Sequence, residues 1–388
     1  MKQIICLFLI LMFITACATQ TPAPSSESSV ETPPTPYPDT PAPAVIDAPI
    51  VEVPALVSVQ FLNELDGWGV SETQIVRTND GGVTWYNVTP PNVIETGYSV
   101  ELFALDALHA WMQKPDFSNY PNSGFLNITS DGGITWTTIT VPFSGAKINF
   151  LDPKNGWVLA DLGAGAGSNA VAVYQTNDGG STWVQTYIND PNNPNASDTL
   201  PLGGQKSDLV PLNMQTAFIT GVTYASGSVY LYRTDDGGHT WSLVDVPIPA
   251  GTETAQMGIE DGAMKMVSAT EGFLAVRIAG NATQTAIYTT NDAGQTWTLT
   301  PTLLSEGGRA DFLSAQEAVF YNGSQFYVTN DAARTWRIIP PDVVFGETFV
   351  GMDFVNLLSG WVTTLDPTGH RSFFRTMDGG ATWFPVIP

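Results

Sequence analysis

One octapeptide recurs seven times along this chain, and no other feature limits so tightly what the chain can fold into. It reads Thr-x-Asp-x-Gly-x-Thr-Trp in its best copies: TNDGGVTW from Thr78, TSDGGITW from Thr129, TNDGGSTW from Thr176, TDDGGHTW from Thr234, TNDAGQTW from Thr290, TNDAARTW from Thr329 and TMDGGATW from Thr376. We refer to each copy as a box. The chemistry is that of a hairpin turn. The carboxylates of Asp80, Asp131, Asp178, Asp236, Asp292, Asp331 and Asp378 can accept backbone N–H groups of their own turns, and the glycine that follows supplies a positive φ. The tryptophans that close the boxes, Trp85, Trp136, Trp183, Trp241, Trp297, Trp336 and Trp383, open the outgoing strand and are expected to lie over the turn. Two copies depart from the pattern, with Ala293 after Asp292 and with Ala332 and Ala333 after Asp331, so a strained or differently routed turn is expected in the sixth copy.

Each box sits in a longer unit. VSVQFLNELDGWGV followed by QIVRTND precedes the first, and FVGMDFVNLLSGWVTT followed by SFFRTMD precedes the last. Both read as strand, turn, Gly-Trp strand, loop, strand, box and final strand. Successive box tryptophans are 39 to 58 residues apart, and the 334 residues from Ala55 to Pro388 divide by seven into about 48, which suits a four-stranded blade. The fold class expected is therefore all-β, a seven-bladed β-propeller of four-stranded antiparallel blades, with a solenoid as the alternative. The first and last units each hold four strands, so closure needs no strand exchanged between the termini.

The N-terminus reads as an address. Lys2 precedes an apolar run, Ile4 to Phe13, too short to span a bilayer. It ends in Ile14-Thr15-Ala16-Cys17, which resembles the bacterial lipobox. That resemblance implies a signal peptide over 1–16, cleavage before Cys17, and lipidation of Cys17, whose acyl chains would hold the protein in a membrane. Cys6 leaves with the signal, so the mature chain has no second thiol for a disulfide. Residues 17–54 are then a Pro/Thr/Ser-rich tether that cannot bury enough surface to order itself, and 55–388 are the propeller. Within the tether, Val45 to Val53 alternates weakly and can pair onto a sheet edge.

The box resembles the Asp-box, or bacterial neuraminidase repeat. The whole unit, with its Gly-Trp strand and then I-x-R-T-x-DGG-x-TW, resembles the photosystem II stability and assembly factor family from about Val57 to Val386. Members linked to photosystem assembly bind proteins through a basic patch, whereas this chain has a net charge of −23. An acidic surface repels nucleic-acid phosphates and anionic lipid headgroups. Sialidases that carry the same repeat use three arginines, a Tyr–Glu pair and an Asp, with a Phe/Tyr-Arg-Ile-Pro motif that is missing from this sequence. Arg77, Arg233 and Arg375 hold one repeat position before their boxes and read as a blade feature, which leaves Arg277, Arg309 and Arg371.

Function is expected on the face opposite the boxes. There Pro115 to Gly124 and Asp161 to Ala170 lengthen the second-to-third loops of blades 2 and 3, and Ile188 to Asp208 joins blades 3 and 4. Phe117, Tyr120 and Tyr187 are the candidate contacts. No catalytic residue is assigned. His109, His239 and His370 fall in separate units with no ligand spacing, so no metal or cofactor is expected. The expectation is a monomeric, lipid-anchored envelope protein whose propeller binds a protein or glycan at the cell surface, with an extracellular glycoside hydrolase, sialidase-like or xyloglucanase-like, as the alternative.

Overall fold

Strands dominate because the apolar residues alternate over short runs separated by Gly, Asn and Asp turns, and the computed structural model bears this out. It describes residues 46–387 except Pro194. The expected signal peptide, Cys17 and most of the expected tether lie outside the described residues. Strand pairing gives a set of four-stranded antiparallel meanders in chain order. Blade 1 is Leu56–Phe61, Gly67–Ser71, Ile75–Thr78 and Trp85–Asn87, and blade 7 is Phe349–Phe354, Gly360–Leu365, Arg371–Thr376 and Phe384–Ile387. Between them, blades 2, 3, 4, 5 and 6 open at Glu101–Ala104, Ala146–Phe150, Gln205–Pro211, Met264–Met266 and Arg309–Phe312. The chain is a β-propeller. The only helical pieces among the described residues are two single turns, Gly97–Ser99 and Gly346–Thr348.

The opening strands lie innermost and touch one another around the axis. Blades 7 and 1 meet directly. Trp361 donates its indole N–H to the Gly81 carbonyl at 3.0 Å and stacks on Phe61 with centroids 3.5 Å apart, while Arg371 Nε reaches Glu72 at 3.1 Å. Among the described residues no strand is exchanged between blades 1 and 7 to close the ring. Two strands lie outside the simple count. Ile50–Val51 pairs with the outer strand of blade 1, so the weakly alternating stretch before Ala55 does join a sheet edge. Ile46 is buried as well, and the ordered body begins before the boundary placed at Ala55. Gln256–Gly258 pairs with strands of both blade 4 and blade 5 and joins them into one nine-stranded sheet.

The boxes form the same hydrogen-bonded turn seven times. In each, the first Thr hydroxyl donates to the Asp carboxylate at 2.8–2.9 Å, as in Thr78 to Asp80 and Thr329 to Asp331. The backbone N–H of the second Thr donates to the same oxygen at 2.9–3.0 Å. The sixth copy is routed like the others. Its difference is strain, because Ala332 and Ala333 both sit at φ 60°, where Gly81 and Gly82 sit at 78° and 90°. Of the box tryptophans, Trp241 and Trp383 lie back over their turns and donate to the Gly238 and Gly380 carbonyls at 3.2 and 3.0 Å, whereas Trp136 donates to Val88 of blade 1 at 2.7 Å.

Candidate functional site

An antiparallel meander sends its first and third turns to one face of the disc and its middle loop, with the connection to the next blade, to the other. The boxes therefore share one face. The loop insertions share the other, where three of them converge on a hollow of about 300 Å³ between blades 2, 3 and 4. Pro115 comes from the blade 2 loop, Asp161 and Asn169 from the blade 3 hairpin, and Lys206 from the end of the connection between blades 3 and 4.

The blade 3 insertion is a hairpin, which the sequence did not indicate. Gly156–Gly165 and Ser168–Thr176 pair to their ends around a turn at Ala166 and Gly167, with one register shift between Asp161 and Gly163. Asp161 accepts the Tyr120 hydroxyl at 2.9 Å and the Gly163 N–H at 3.1 Å. Burial, and then the Asp161 carboxylate, pushes the Tyr120 phenol up to about 12, so it stays a donor. Tyr120 thus holds the lining residue Asp161 in place without itself lining the hollow. Phe117 stands 75% exposed on the same loop. Tyr187 is a correction: it lies in the last strand of blade 3, Val184–Ile188, is 3% exposed, and its hydroxyl donates to the Ser197 and Leu200 carbonyls and accepts the Leu200 N–H. It fastens the connection between blades 3 and 4 from inside and offers nothing to a ligand.

Charge in the hollow is balanced and already engaged. Lys147, on the opening strand of blade 3, lies 3.5 Å from Glu101 and 2.7 Å from Asp261. Burial opposes its charge, but the two carboxylates outweigh that and raise its pKa. Lys206 donates to three carbonyls, Asn169, Leu202 and Gly204, at 3.0, 2.9 and 3.2 Å, with the Tyr230 ring 5.5 Å away. With no carboxylate facing it, burial brings its pKa down to about 8. Gln113 is fully buried in the wall. Its amide N–H₂ donates to the Phe143 carbonyl at 3.2 Å, and its carbonyl oxygen has no partner among the described residues. Sequence reasoning missed Gln113, Glu101, Lys147 and Lys206. The chain has only six lysines, and Lys147, Lys206 and Lys265 all fall in opening strands, which was the available signal.

Two further groups lie on this face or near the axis. Arg277 and Arg309 line a shallow hollow of about 770 Å³ with Glu260 and Glu306, but Arg371 is not with them, being buried against Glu72 and the Leu56 carbonyl. Asp208, on the opening strand of blade 4, is pushed up to about 7 by burial and then by Asp261, which makes it a proton donor near neutrality. Asp353 is pushed up to about 8 by burial and then by Asp311, while accepting the Phe61 N–H across the closing seam. His109 is held by Asp106 at 2.9 Å and His239 by its own box, and no group of three metal-ligating side chains forms among the described residues.

No protein-family model matches the chain. A xyloglucanase from a Paenibacillus species is 30% identical over 145 residues, which make up 32% of this chain and 13% of that enzyme. The chain thus spans a small part of this curated relative. Among solved structures, the GH74 xyloglucanase from Xanthomonas campestris superposes with a TM-score of 0.55 at 11% identity, over 88% of this chain and 55% of that one. An ancestral GH74 enzyme gives 0.50 at 11% identity, over 87% and 45%. A third, described as YCF48 bound to D1 peptide, gives 0.48 at 18% identity, over 88% and 89%. At these identities the likeness is one of fold.

Proposed function

We propose that this chain is an Asp-box propeller anchored to the cell envelope through lipidated Cys17, which holds a protein or glycan partner on its loop face without transforming it. In this reading it is a monomer, an assembly or scaffold factor, and its membrane contact runs through the lipid alone. The observation that carries the proposal is the hollow between blades 2, 3 and 4, where the three long insertions meet. The four charged groups that line it are each engaged, Glu101 with Lys147, Asp161 with Tyr120, and Lys206 with three carbonyls. Groups engaged in this way hold a shape and present polarity to a ligand. The apolar surface of Pro115, Leu159 and Val171 beside them completes an ordinary binding hollow.

A second reading, an extracellular glycoside hydrolase, is favoured by Asp208, a carboxyl with a pKa near 7 beside Asp261, and by the partial xyloglucanase match. One screen separates the two. The full chain is tested on a glycan array and on xyloglucan and sialoside substrates, with wild type compared to Asp208→Asn and to Gln113→Ala. The binding reading expects retention of a ligand that Gln113→Ala weakens and no turnover. Turnover that Asp208→Asn abolishes would replace it with the hydrolase.

A further inference from the structure

The box face is not uniform, and the repeat itself provides the control. In every blade the N–H of the residue after the box Asp donates to a carbonyl in the first turn of the same blade, at 2.9–3.0 Å, so the seven acceptor residues are strictly equivalent. They are Leu65, Leu108, Lys154, Gln215, Thr270, Gln316 and Leu358, all exposed. The sixth box positions are Val83, Ile134, Ser181, His239, Gln295, Arg334 and Ala381. At the second box position six blades carry Asn, Ser or Asp, and blade 7 carries Met377.

Blades 3 to 6 are polar at these places. Blades 7, 1 and 2 are apolar at the first-turn and sixth box positions, and blade 7 at the second box position too, with Leu358 58%, Met377 60%, Leu65 42%, Val83 68%, Leu108 50% and Ile134 44% exposed. The three blades are consecutive around the closed ring. Glu64 of blade 1 is bonded by Asn356 and Ser359 of blade 7, and Trp68 of blade 1 donates to the Asp106 carbonyl of blade 2. Six such side chains expose on the order of 500 Å² of apolar surface across three adjacent blades. Nothing in the turn requires an apolar residue, since the four other blades make identical bonds without one.

We propose that this face of blades 7, 1 and 2 docks a protein partner that presents apolar side chains bordered by Lys or Arg. Charge selects the partner. Glu64, Asp66 and Asp106 lie in the first turns, and Asp80, Asp131 and Asp378 in the boxes, of these same three blades. The nearby cations are used: Arg77 is 8% exposed and paired with Asp66, and Arg375 lies half-buried under the turn with its Nη2 on the Glu64 carbonyl. A second copy of this chain would set carboxylates against carboxylates, and an anionic bilayer would be repelled. A basic rim around an apolar centre satisfies both features, the usual anatomy of a specific interface.

A polarity-sensitive fluorophore at Val83→Cys in the full chain reads every occupant, with Gln295→Cys on blade 5 as the control position. The probe ligand is an 18-residue amphipathic peptide of leucine and lysine, beside its leucine–glutamate and glutamine–lysine counterparts. The expected result is a blue shift at position 83, absent at position 295, with the leucine–lysine peptide alone. Ile134→Ser with Leu358→Ser should weaken that binding tenfold or more without moving the melting temperature, and 0.5 M salt should weaken it too. The proposal is overturned if the shift appears on raising the concentration of the chain alone, which means a second copy, or with phosphatidylcholine vesicles alone, which means lipid. It is equally overturned if the leucine–glutamate peptide matches the leucine–lysine one, if the double serine variant binds as wild type does, or if no peptide shifts position 83.

Discussion

Blades 7, 1, 2 and 3 are joined to their successors differently from blades 4, 5 and 6. In the first group the second strand carries a tryptophan whose indole N–H crosses the seam: Trp361 to Gly81, Trp68 to Asp106, Trp111 to Gly179 and Trp157 to Asn213, at 2.8–3.2 Å. In the second group the equivalent residues are Phe218, Phe273 and Val319, which have no such donor. Between blades 4 and 5, Gln256–Gly258 adds backbone pairing. Arg233 also donates to the Ala293 carbonyl across that seam, and Asp311 of blade 6 accepts the Phe354 N–H of blade 7 at 2.6 Å. These two bonds do not replace the tryptophan, since at the closing seam Arg375 reaches the Glu64 carbonyl and Asp353 accepts the Phe61 N–H beside Trp361. The turn inside a blade has one chemical solution, repeated seven times, whereas the seam between blades has several.

The sharpest way to break this contrast is at the closing seam. Trp361→Ala removes a fully buried ring, its stacking on Phe61 and its bond to Gly81, and is expected to cost about 3–5 kcal/mol in urea unfolding. The equivalent Val319→Ala should cost about 1.5–2 kcal/mol, from the methyl groups alone. Equal losses would mean that the tryptophan seam has no special weight.

A second test concerns pH. Asp208 has a folded pKa of about 7 against an ordinary value near 4, so folding favours its protonated form. The stability it contributes is complete below about pH 4 and is lost as pH rises through 7. Asp208→Asn should therefore leave the melting temperature unchanged at pH 4 and raise stability by about 1–2 kcal/mol at pH 8, since the Asp208 side chain is only partly buried. A constant difference between the two pH values would exclude the burial account. The smallest effect is expected at the sixth box, where Ala333→Gly relieves a left-handed alanine at φ 60° and should stabilise by about 0.5–1 kcal/mol in the same melts, with no gain at Gly380, which is glycine already.

What could be read in the sequence follows the same division. The box bonds span two to four residues, from Thr78 to Asp80 and from Thr84 to Asp80, so residue types at fixed offsets encode them, and the fold follows from counting them. The hollow depends on bonds of 41 residues from Tyr120 to Asp161 and 37 from Lys206 to Asn169, which no local pattern records. Composition also misled. The glycine-rich run from Gly163 to Gly167 resembles an irregular loop, yet its backbone pairs as a hairpin, because pairing needs N–H and C=O groups and no side chains. Tyr187 stands just before the Asn/Pro-rich connection and reads as a contact, while its ring is buried in the last strand of blade 3.

The bridging strand Gln256–Gly258 also bears on how such a molecule can be rearranged. Most seams here consist of side chains that a new neighbour could replace. Between blades 4 and 5 the junction is backbone pairing, so a breakpoint there cuts a sheet in two. Circular permutation between those two blades is therefore expected to destabilise the fold more than permutation at a seam held by side chains alone.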